Sequence, residues 1–336
     1  MRYVSWSILS IVAIIFPYTL TFGQSTATTT ASTSTEALIS GLTVTREQIP
    51  GSDIQLGDFV VGPGKAEVVV KPGETVYKEI TVTNRIDDER SFQFHIEDMS
   101  GSADGREAAV LLGDQSGPYS LKDYVSVPEA VISLKLGERA RIPVKISMPL
   151  EAEPGGYYGA VLVSTVQNNT ESDDAIAQSP IVARIGTLFF ITVPGEATKE
   201  SALLSFGTQN NQWWFTKGPI ELGISYENKG SIHLNPYGEV RITNMLGNEV
   251  GYIELDPWFV LPKSIRTRDI TWTSEFLLGR YALTASVNRG YDNIIDTTTI
   301  YIWVIPWQLL ISVFAAIFGI LFLFRWFFNK FELKRK

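Results

Sequence analysis

The chain has 336 residues, no cysteine, two histidines and a formal net charge of −8 at pH 7. This length accommodates about two domains of ordinary size. The lack of cysteine excludes disulfide bonds, thiolate zinc sites and a cysteine nucleophile. The acidic balance argues against a general nucleic-acid binder, which needs a basic surface. The charge is unevenly distributed, since both ends are basic and apolar and the middle is acidic.

The N-terminus predicts a secretory signal peptide over residues 1–23. Arg2 precedes a long apolar stretch, Val4 to Phe22, and the small-x-small rule places cleavage after Gly23. An uncleaved membrane anchor is the alternative. Residues 24–41 are rich in serine and threonine, which bury little apolar surface, so they predict a flexible linker.

Short runs of alternating apolar and polar residues, separated by Gly, Pro, Asn and Asp, fill residues 42–303 and predict β-strands. No convincing amphipathic helix interrupts them. Because a β-sandwich takes about 100 residues, we predict an all-β protein with two tandem Ig-like β-sandwich domains, at 42–194 and 195–303.

A second apolar stretch lies near the C-terminus, from Trp307 to Phe324. It is long enough to cross a bilayer core of about 30 Å, and tryptophans flank it as expected at membrane interfaces. We predict a transmembrane helix over 304–326, with the lipid bilayer as its partner. The basic tail, 327–336, is placed in the cytosol by the positive-inside rule. The expected product is a single-pass cell-membrane protein with its bulk outside the cell.

Three segments give the chain a resemblance to the WxL-interacting protein family of Gram-positive bacteria, as does the order of its parts. The segments are Val70–Glu74 with Thr81–Asn84, Pro154–Val163, and Leu261–Ser264 with Leu278–Leu283. The resemblance implies a first domain of the peptidoglycan-binding type and a second domain that binds a partner or host protein. It also implies a place on the cell surface beside secreted proteins.

Five aromatic residues are candidate binding residues. Tyr157 and Tyr158 are adjacent in a predicted strand, so they point to opposite faces of the sheet. Trp213 and Trp214 alternate in the same way, and Trp258 follows a turn. Exposed aromatic rings stack on sugars and anchor protein interfaces. The alternative for each is a role in packing within or between the domains.

Catalytic and metal sites have weak signals. The segment Asp98–Gly105 offers oxygen ligands for calcium but lacks the EF-hand spacing, and Asx turns explain it more simply. His95 and His233 have no nucleophile motif around them, and no P-loop or zinc-protease motif occurs. We therefore predict no enzyme activity, no metal and no cofactor.

The leading hypothesis is a membrane-anchored surface protein that attaches non-covalently to cell-wall polymer (peptidoglycan), to a secreted surface protein, or to both. The alternative is a structural or assembly role, in which a chaperone-like sandwich accepts a strand of its partner at a sheet edge. A surface hydrolase is the third hypothesis, because a pair of carboxylates would suffice for it.

Overall fold

The structure is a computed structural model that describes residues 43–51, 56–166, 184–274 and 277–330, with Leu309 described by its backbone alone. The predicted signal peptide, the predicted linker and residues 331–336 of the tail lie outside the described residues.

The first half of the described chain forms two sheets. One has the order β1, β9, β4, β2, with β7 also paired to β9. The other has the order β3, β11, β10, β5, β6, with β8 also paired to β5. The strands are β1 (Thr45–Gln48), β2 (Val60–Gly62), β3 (Lys65–Val69), β4 (Thr75–Thr83), β5 (Arg90–Ser100), β6 (Val110–Leu111), β7 (Val125–Ser126), β8 (Val131–Leu134), β9 (Glu138–Ser147), β10 (Gly155–Thr165) and β11 (Arg184–Val193).

The predicted alternation forms the core of this half. Ile80 and Val82 of β4 are fully buried, as are Ile142, Val144 and Ile146 of β9. Successive side chains of a strand point to opposite faces, so these apolar positions all reach the space between the two sheets. Burying each aliphatic side chain contributes about 1.5–3 kcal/mol.

The second half repeats this architecture. One sheet has the order β12, β14, β17, and the other has the order β13, β19, β18, β15, β16. The strands are β12 (Ser201–Thr208), β13 (Trp214–Phe215), β14 (Ile220–Asn228), β15 (Tyr237–Asn244), β16 (Glu249–Leu255), β17 (Ser264–Trp272), β18 (Gly279–Asn288) and β19 (Ile295–Val304).

Each half has its own cluster of buried apolar side chains. The first cluster lies between Phe59 and Val193 in sequence, and the second lies between Phe206 and Val304. The fold is therefore all-β, with two Ig-like sandwiches, as the sequence predicts.

A loop of the first sandwich pairs with an edge of the second. Ile265 of β17 donates its backbone N–H to the carbonyl oxygen of Ser102 (3.0 Å), and Thr267 donates to that of Gly105 (3.0 Å). Gly105 has a φ of +77°, and a Cβ added to it would lie 2.8 Å from Thr267 Oγ1. Glycine therefore permits both the turn and the close approach.

The helix α1 (Trp307–Lys330) follows β19. Within the described part of the chain, its segment Leu310–Lys330 is the one stretch long and apolar enough to cross a membrane, with a mean hydropathy of 2.2. The sequence places the end of the span at residue 326, but α1 continues to Lys330, because the aromatic residues that follow carry no helix-breaking signal. Pro306 directly precedes the helix, a position that suits the fixed φ of proline.

Candidate functional site

The adjacent tyrosines of β10 face different surroundings. Tyr157 packs against the first core and meets the ring of Tyr124 edge-on, and its hydroxyl donates to the carbonyl oxygen of Glu153 (3.1 Å). Tyr158 points the opposite way, toward the second sandwich, and is 1% exposed. The structure therefore places one ring in a core and the other in the contact between the sandwiches.

Tyr158 belongs to a small apolar cluster that joins the two sandwiches. Its buried members are Met99, Tyr158, Phe190 and Leu261. The backbone N–H of His233 donates to the Tyr158 hydroxyl (2.6 Å), which lies 3.2 Å from His233 Nδ1. The hydroxyl thus satisfies two polar groups of the second sandwich at once.

Burial favours the neutral form of His233. Burial lowers the pKa of His233, and Lys65 acts in the same direction, whereas Glu67, whose carboxylate lies 3.9 Å from His233 Nε2, opposes them. Burial also raises the pKa of the Tyr158 hydroxyl. With its proton on Nε2, the neutral imidazole accepts the hydrogen of the Tyr158 hydroxyl through Nδ1, so Tyr158 and His233 hold the sandwiches together as a neutral pair.

Trp258 is placed for packing. It is 5% exposed and meets the ring of Tyr226 edge-on, and the guanidinium of Arg268 lies 5.4 Å from its ring centre. Its indole Nε1 has no hydrogen-bond partner among the described residues. A ligand therefore has no access to this ring in the structure.

Trp213 and Trp214 lie on the surface of the second sandwich. Trp213 is 65% exposed and Trp214 is 39% exposed. Trp214 is aligned with Trp303 in the parallel pair of β13 with β19, and Trp303 donates its backbone N–H to the carbonyl oxygen of Trp213 (2.8 Å). Of the five aromatic candidates, these two tryptophans have exposed rings. The pairing of β13 with β19 places a third exposed tryptophan, Trp303, beside them.

Asp98 organises a loop with its carboxylate. Burial opposes its charge, but hydrogen bonds from the backbone N–H groups of Lys122, Leu121 and Gly117 outweigh that effect and lower the pKa of Asp98. Among the described residues, no group of three or more His, Asp or Glu side chains is placed to hold a metal ion. Asp98 thus acts on the backbone of residues 117–122.

The sheet edges differ in how they are covered. The free side of β17 is closed by the loop that contains Ser102 and Gly105. The side of β9 opposite β4 is covered in two parts, by β7 at Lys145–Ile146 and by β1 at Glu138–Arg141. Backbone groups at a sheet edge are ready to pair with another extended chain.

β1 occupies its edge without burying any of its own side chains, since all four are exposed. Ile49 N–H donates to the carbonyl oxygen of Gly137 (2.9 Å), so the antiparallel ladder continues past the end of β1. Its side chains add polar contacts. Glu47 lies 3.0 Å from Arg141 and 3.4 Å from Arg139, Arg46 lies 3.8 Å from Glu129, and Gln48 Nε2 donates to the carbonyl oxygen of Leu136 (3.1 Å). The strand is therefore held by backbone pairing and exposed ion pairs.

Sequence reasoning missed this strand. Thr45-Arg46-Glu47-Gln48 contains no apolar residue, so it has no hydrophobic alternation to reveal a strand. The available signals are the apolar Val44 and Ile49, which flank it and are half-buried. Such a spacing is too common to identify a strand from the sequence.

The sequence matches no protein-family model and no curated protein. Solved structures with a similar fold include fimbrial chaperones. The class 5 fimbriae chaperone CfaA is 9% identical, with 74% of this chain and 100% of that chain covered and a TM-score of 0.35. The chaperone–tip adhesin pre-assembly complex of the Csu pili of Acinetobacter baumannii gives 11% identity, 73% and 98% coverage and a TM-score of 0.36. The Escherichia coli chaperone DraB is 13% identical, with 73% of this chain and 99% of that chain covered and a TM-score of 0.33. Likeness at this level concerns the fold and carries no argument about binding.

Proposed function

We propose that this chain is a single-pass membrane protein that binds a protein partner outside the cell by strand addition at the edge of β9. The observation that carries the proposal is β1, an exposed segment that already occupies this edge as an added strand. An edge that holds a segment without burying its side chains is suited to other extended segments, because main-chain hydrogen bonds supply most of the attraction.

The pairing geometry supports exchange of one strand for another. Hydrogen-bonded residue pairs alternate along an antiparallel ladder. Ile49 is hydrogen-bonded to Gly137. Every second pair from there is also hydrogen-bonded, which gives Glu47 with Arg139 and Thr45 with Arg141. The N–H of Arg46 then points away from β9. An incoming strand needs the same backbone spacing and an apolar side chain in the place of Val44, which packs against the first core.

Two arginines give the edge a chemical preference. Arg141 lies 2.9 Å from Glu79 and 3.0 Å from Glu47, and Arg139 shares the Glu47 carboxylate. A partner strand with Asp or Glu at the position of Glu47 keeps these ion pairs. Exposed pairs are worth about 0.2–1 kcal/mol, so they select among partners and contribute little to the affinity.

β1 and a partner compete for the same edge. A tethered segment acts at an effective concentration of about millimolar, so a partner must pair over more residues or arrive at high local concentration. Surface anchoring through α1 supplies such a concentration for a partner held at the same membrane. In this proposal α1 crosses the bilayer and the basic tail is cytosolic. Attachment to peptidoglycan rests on the family resemblance alone.

The experiment compares two proline variants of the full chain in lipid nanodiscs. Thr45→Pro removes a ladder hydrogen bond to β9, whereas Arg46→Pro changes a residue whose N–H points away from it. A fluorescent peptide of residues 43–50 is the probe. Opening the edge removes the competition from β1, so we expect Thr45→Pro to bind the peptide about tenfold more tightly than Arg46→Pro.

The peptide itself has a matched control. A probe with Glu47→Lys places a like charge opposite Arg139 and Arg141, and we expect it to bind up to about fivefold more weakly. Equal peptide binding by the two proline variants, or binding by neither, would refute strand acceptance at β9. Protease protection of the C-terminal tail in sealed vesicles tests the membrane topology separately.

A further inference from the structure

The second sandwich has an apolar end where β19 leaves it. Val304, the last residue of β19, is paired with Gly279 and aligned with Phe215. The tip of the β15–β16 hairpin reaches the same end, because a Cβ on Gly279 would lie 2.9 Å from Met245 Cε. We call the exposed apolar residues of this end the aromatic foot; they are Trp213, Trp214, Met245, Leu246, Leu278 and Trp303.

Every residue of the aromatic foot is large, apolar and solvent-exposed. Leu246 is 79% exposed, Trp213 65% and Met245 63%. Single exposed apolar residues are ordinary on a protein surface, but a contiguous group of them marks an interaction site. Other side chains form the buried core of this sandwich. The residues of the aromatic foot are therefore not needed to fill that core.

The aromatic foot is joined directly to α1. Ile305 donates its backbone N–H to the carbonyl oxygen of Phe215 (2.8 Å), which ties the start of the connection to β13. The helix begins at Trp307, and the four residue steps from Trp303 to Trp307 span about 14 Å at most. The surroundings of the start of α1 therefore reach Trp303, and Met245 lies beside Gly279, the residue paired with Val304.

The residue types suit the interface of a bilayer. Tryptophan is enriched at the level of lipid headgroups, where an apolar ring with a polar N–H is best solvated. Arg280 is exposed, is aligned with Trp303 and lies 4.2 Å from the ring centre of Tyr301, and Lys217 is exposed three residues after Trp214. Both cations match lipid phosphates. Glu249, at the start of β16, has its carboxylate 3.8 Å from Arg241.

From this juxtaposition we infer that the aromatic foot inserts into the headgroup layer of the bilayer that α1 crosses. The inference rests on the proposed membrane anchoring. With α1 and the aromatic foot both in the lipid, the second sandwich is attached to the membrane at two points and does not swing freely about Pro306. The first sandwich, with its β9 edge, is then held at a set distance from the lipid surface.

The test uses single-cysteine variants of the full chain, which has no cysteine of its own. Leu246→Cys reports on the aromatic foot. Leu150→Cys is its matched control, because Leu150 is also exposed (83%) and lies in the first sandwich. Gly319→Cys reports on α1, where an added Cβ meets nothing within 4 Å. Each variant carries an NBD label in nanodiscs of phosphatidylcholine and phosphatidylglycerol, with or without lipids spin-labelled at the headgroup or on the acyl chain.

We expect headgroup quenchers to reduce the Leu246→Cys signal at least twofold and to leave Leu150→Cys unchanged, while acyl-chain quenchers reduce Gly319→Cys. Quenching at Gly319 with none at Leu246 would overturn this inference and leave the anchoring intact. No quenching at Gly319 would overturn the anchoring itself, and this inference with it. Shielding of Leu246 from iodide without quenching by lipid would mean that a protein covers the aromatic foot, which also overturns the inference.

Discussion

Removing the Tyr158 hydroxyl tests whether the contact between the two sandwiches depends on one buried hydrogen-bonding group. Tyr158→Phe keeps the ring, and with it the edge-on contact to Phe190. It removes the oxygen that accepts from His233 N–H at 2.6 Å and lies 3.2 Å from His233 Nδ1. The substitution therefore changes hydrogen bonding and leaves the packing in place.

The magnitude follows from what is left behind. A buried polar group that loses its partner costs about 1–3 kcal/mol, and Tyr158→Phe strands two such groups on His233. We expect a loss of about 2–6 kcal/mol in the free energy of unfolding. Tyr157→Phe is the control, because Tyr157 loses a bond to the carbonyl oxygen of Glu153 in exposed surroundings where water replaces it. Its expected loss is at most about 1 kcal/mol.

The assay is urea unfolding of the full chain in nanodiscs, followed by tryptophan fluorescence. The comparison is between the midpoints of the two variants, since a shift in midpoint at constant slope reports a change in stability. Similar midpoints for Tyr158→Phe and Tyr157→Phe would refute the reasoning, because they would mean that the His233 groups find other partners. A larger loss in Tyr157→Phe would also refute it, because the exposed hydroxyl would then contribute more than the buried one.

Three further predictions concern the same contact and its supporting loops. Because burial lowers the pKa of His233, the unfolded chain binds a proton near pH 6.5 that the folded chain does not. The free energy of unfolding therefore falls as the pH decreases from 6.5 toward the folded pKa. Between pH 7 and pH 5, the urea midpoint of His233→Gln should fall less than that of the parent chain. Asp98→Asn should cost about 1–3 kcal/mol, and calcium should not change the melting temperature of the parent chain; a rise on adding calcium would contradict the hydrogen-bonding role. Gly105→Val should destabilise the chain more than Gly113→Val. Both glycines have a positive φ, but a Cβ at Gly105 would lie 2.8 Å from Thr267 Oγ1, whereas nothing lies within 4 Å of a Cβ at Gly113. Equal melting temperatures for the two variants would count against the contact with Thr267.

The local patterns of the sequence were sufficient for the strands and the general architecture. Alternation predicts that Ile142, Val144 and Ile146 share one face, and all three are buried in the first core. Such a prediction succeeds because the direction of a side chain along a strand depends on its neighbours in sequence. The apolar run of α1 is equally local, since its length and composition need no tertiary contact.

Contacts between distant parts of the chain decided which aromatic residues reach the surface. Trp213 and Trp258 both lie in segments of turns and short strands, yet Trp258 packs edge-on against Tyr226 and is 5% exposed, whereas Trp213 is 65% exposed. Adjacent Tyr157 and Tyr158 had to face opposite ways, but the partner of Tyr158 is His233, 75 residues away. No local pattern contains that pairing.

The sequence by itself therefore determined the class of the fold, its two sandwiches and the apolar C-terminal helix, because periodicity and length act within one element. Only the tertiary structure placed β1 on the edge of β9, closed β17 with the Ser102–Gly105 loop and gathered Trp213, Trp214 and Trp303 beside α1. The reason is that strand pairing joins backbones regardless of their side chains and of their separation in sequence. A polar segment such as β1 gives no sign of its place until the edge that it completes has formed.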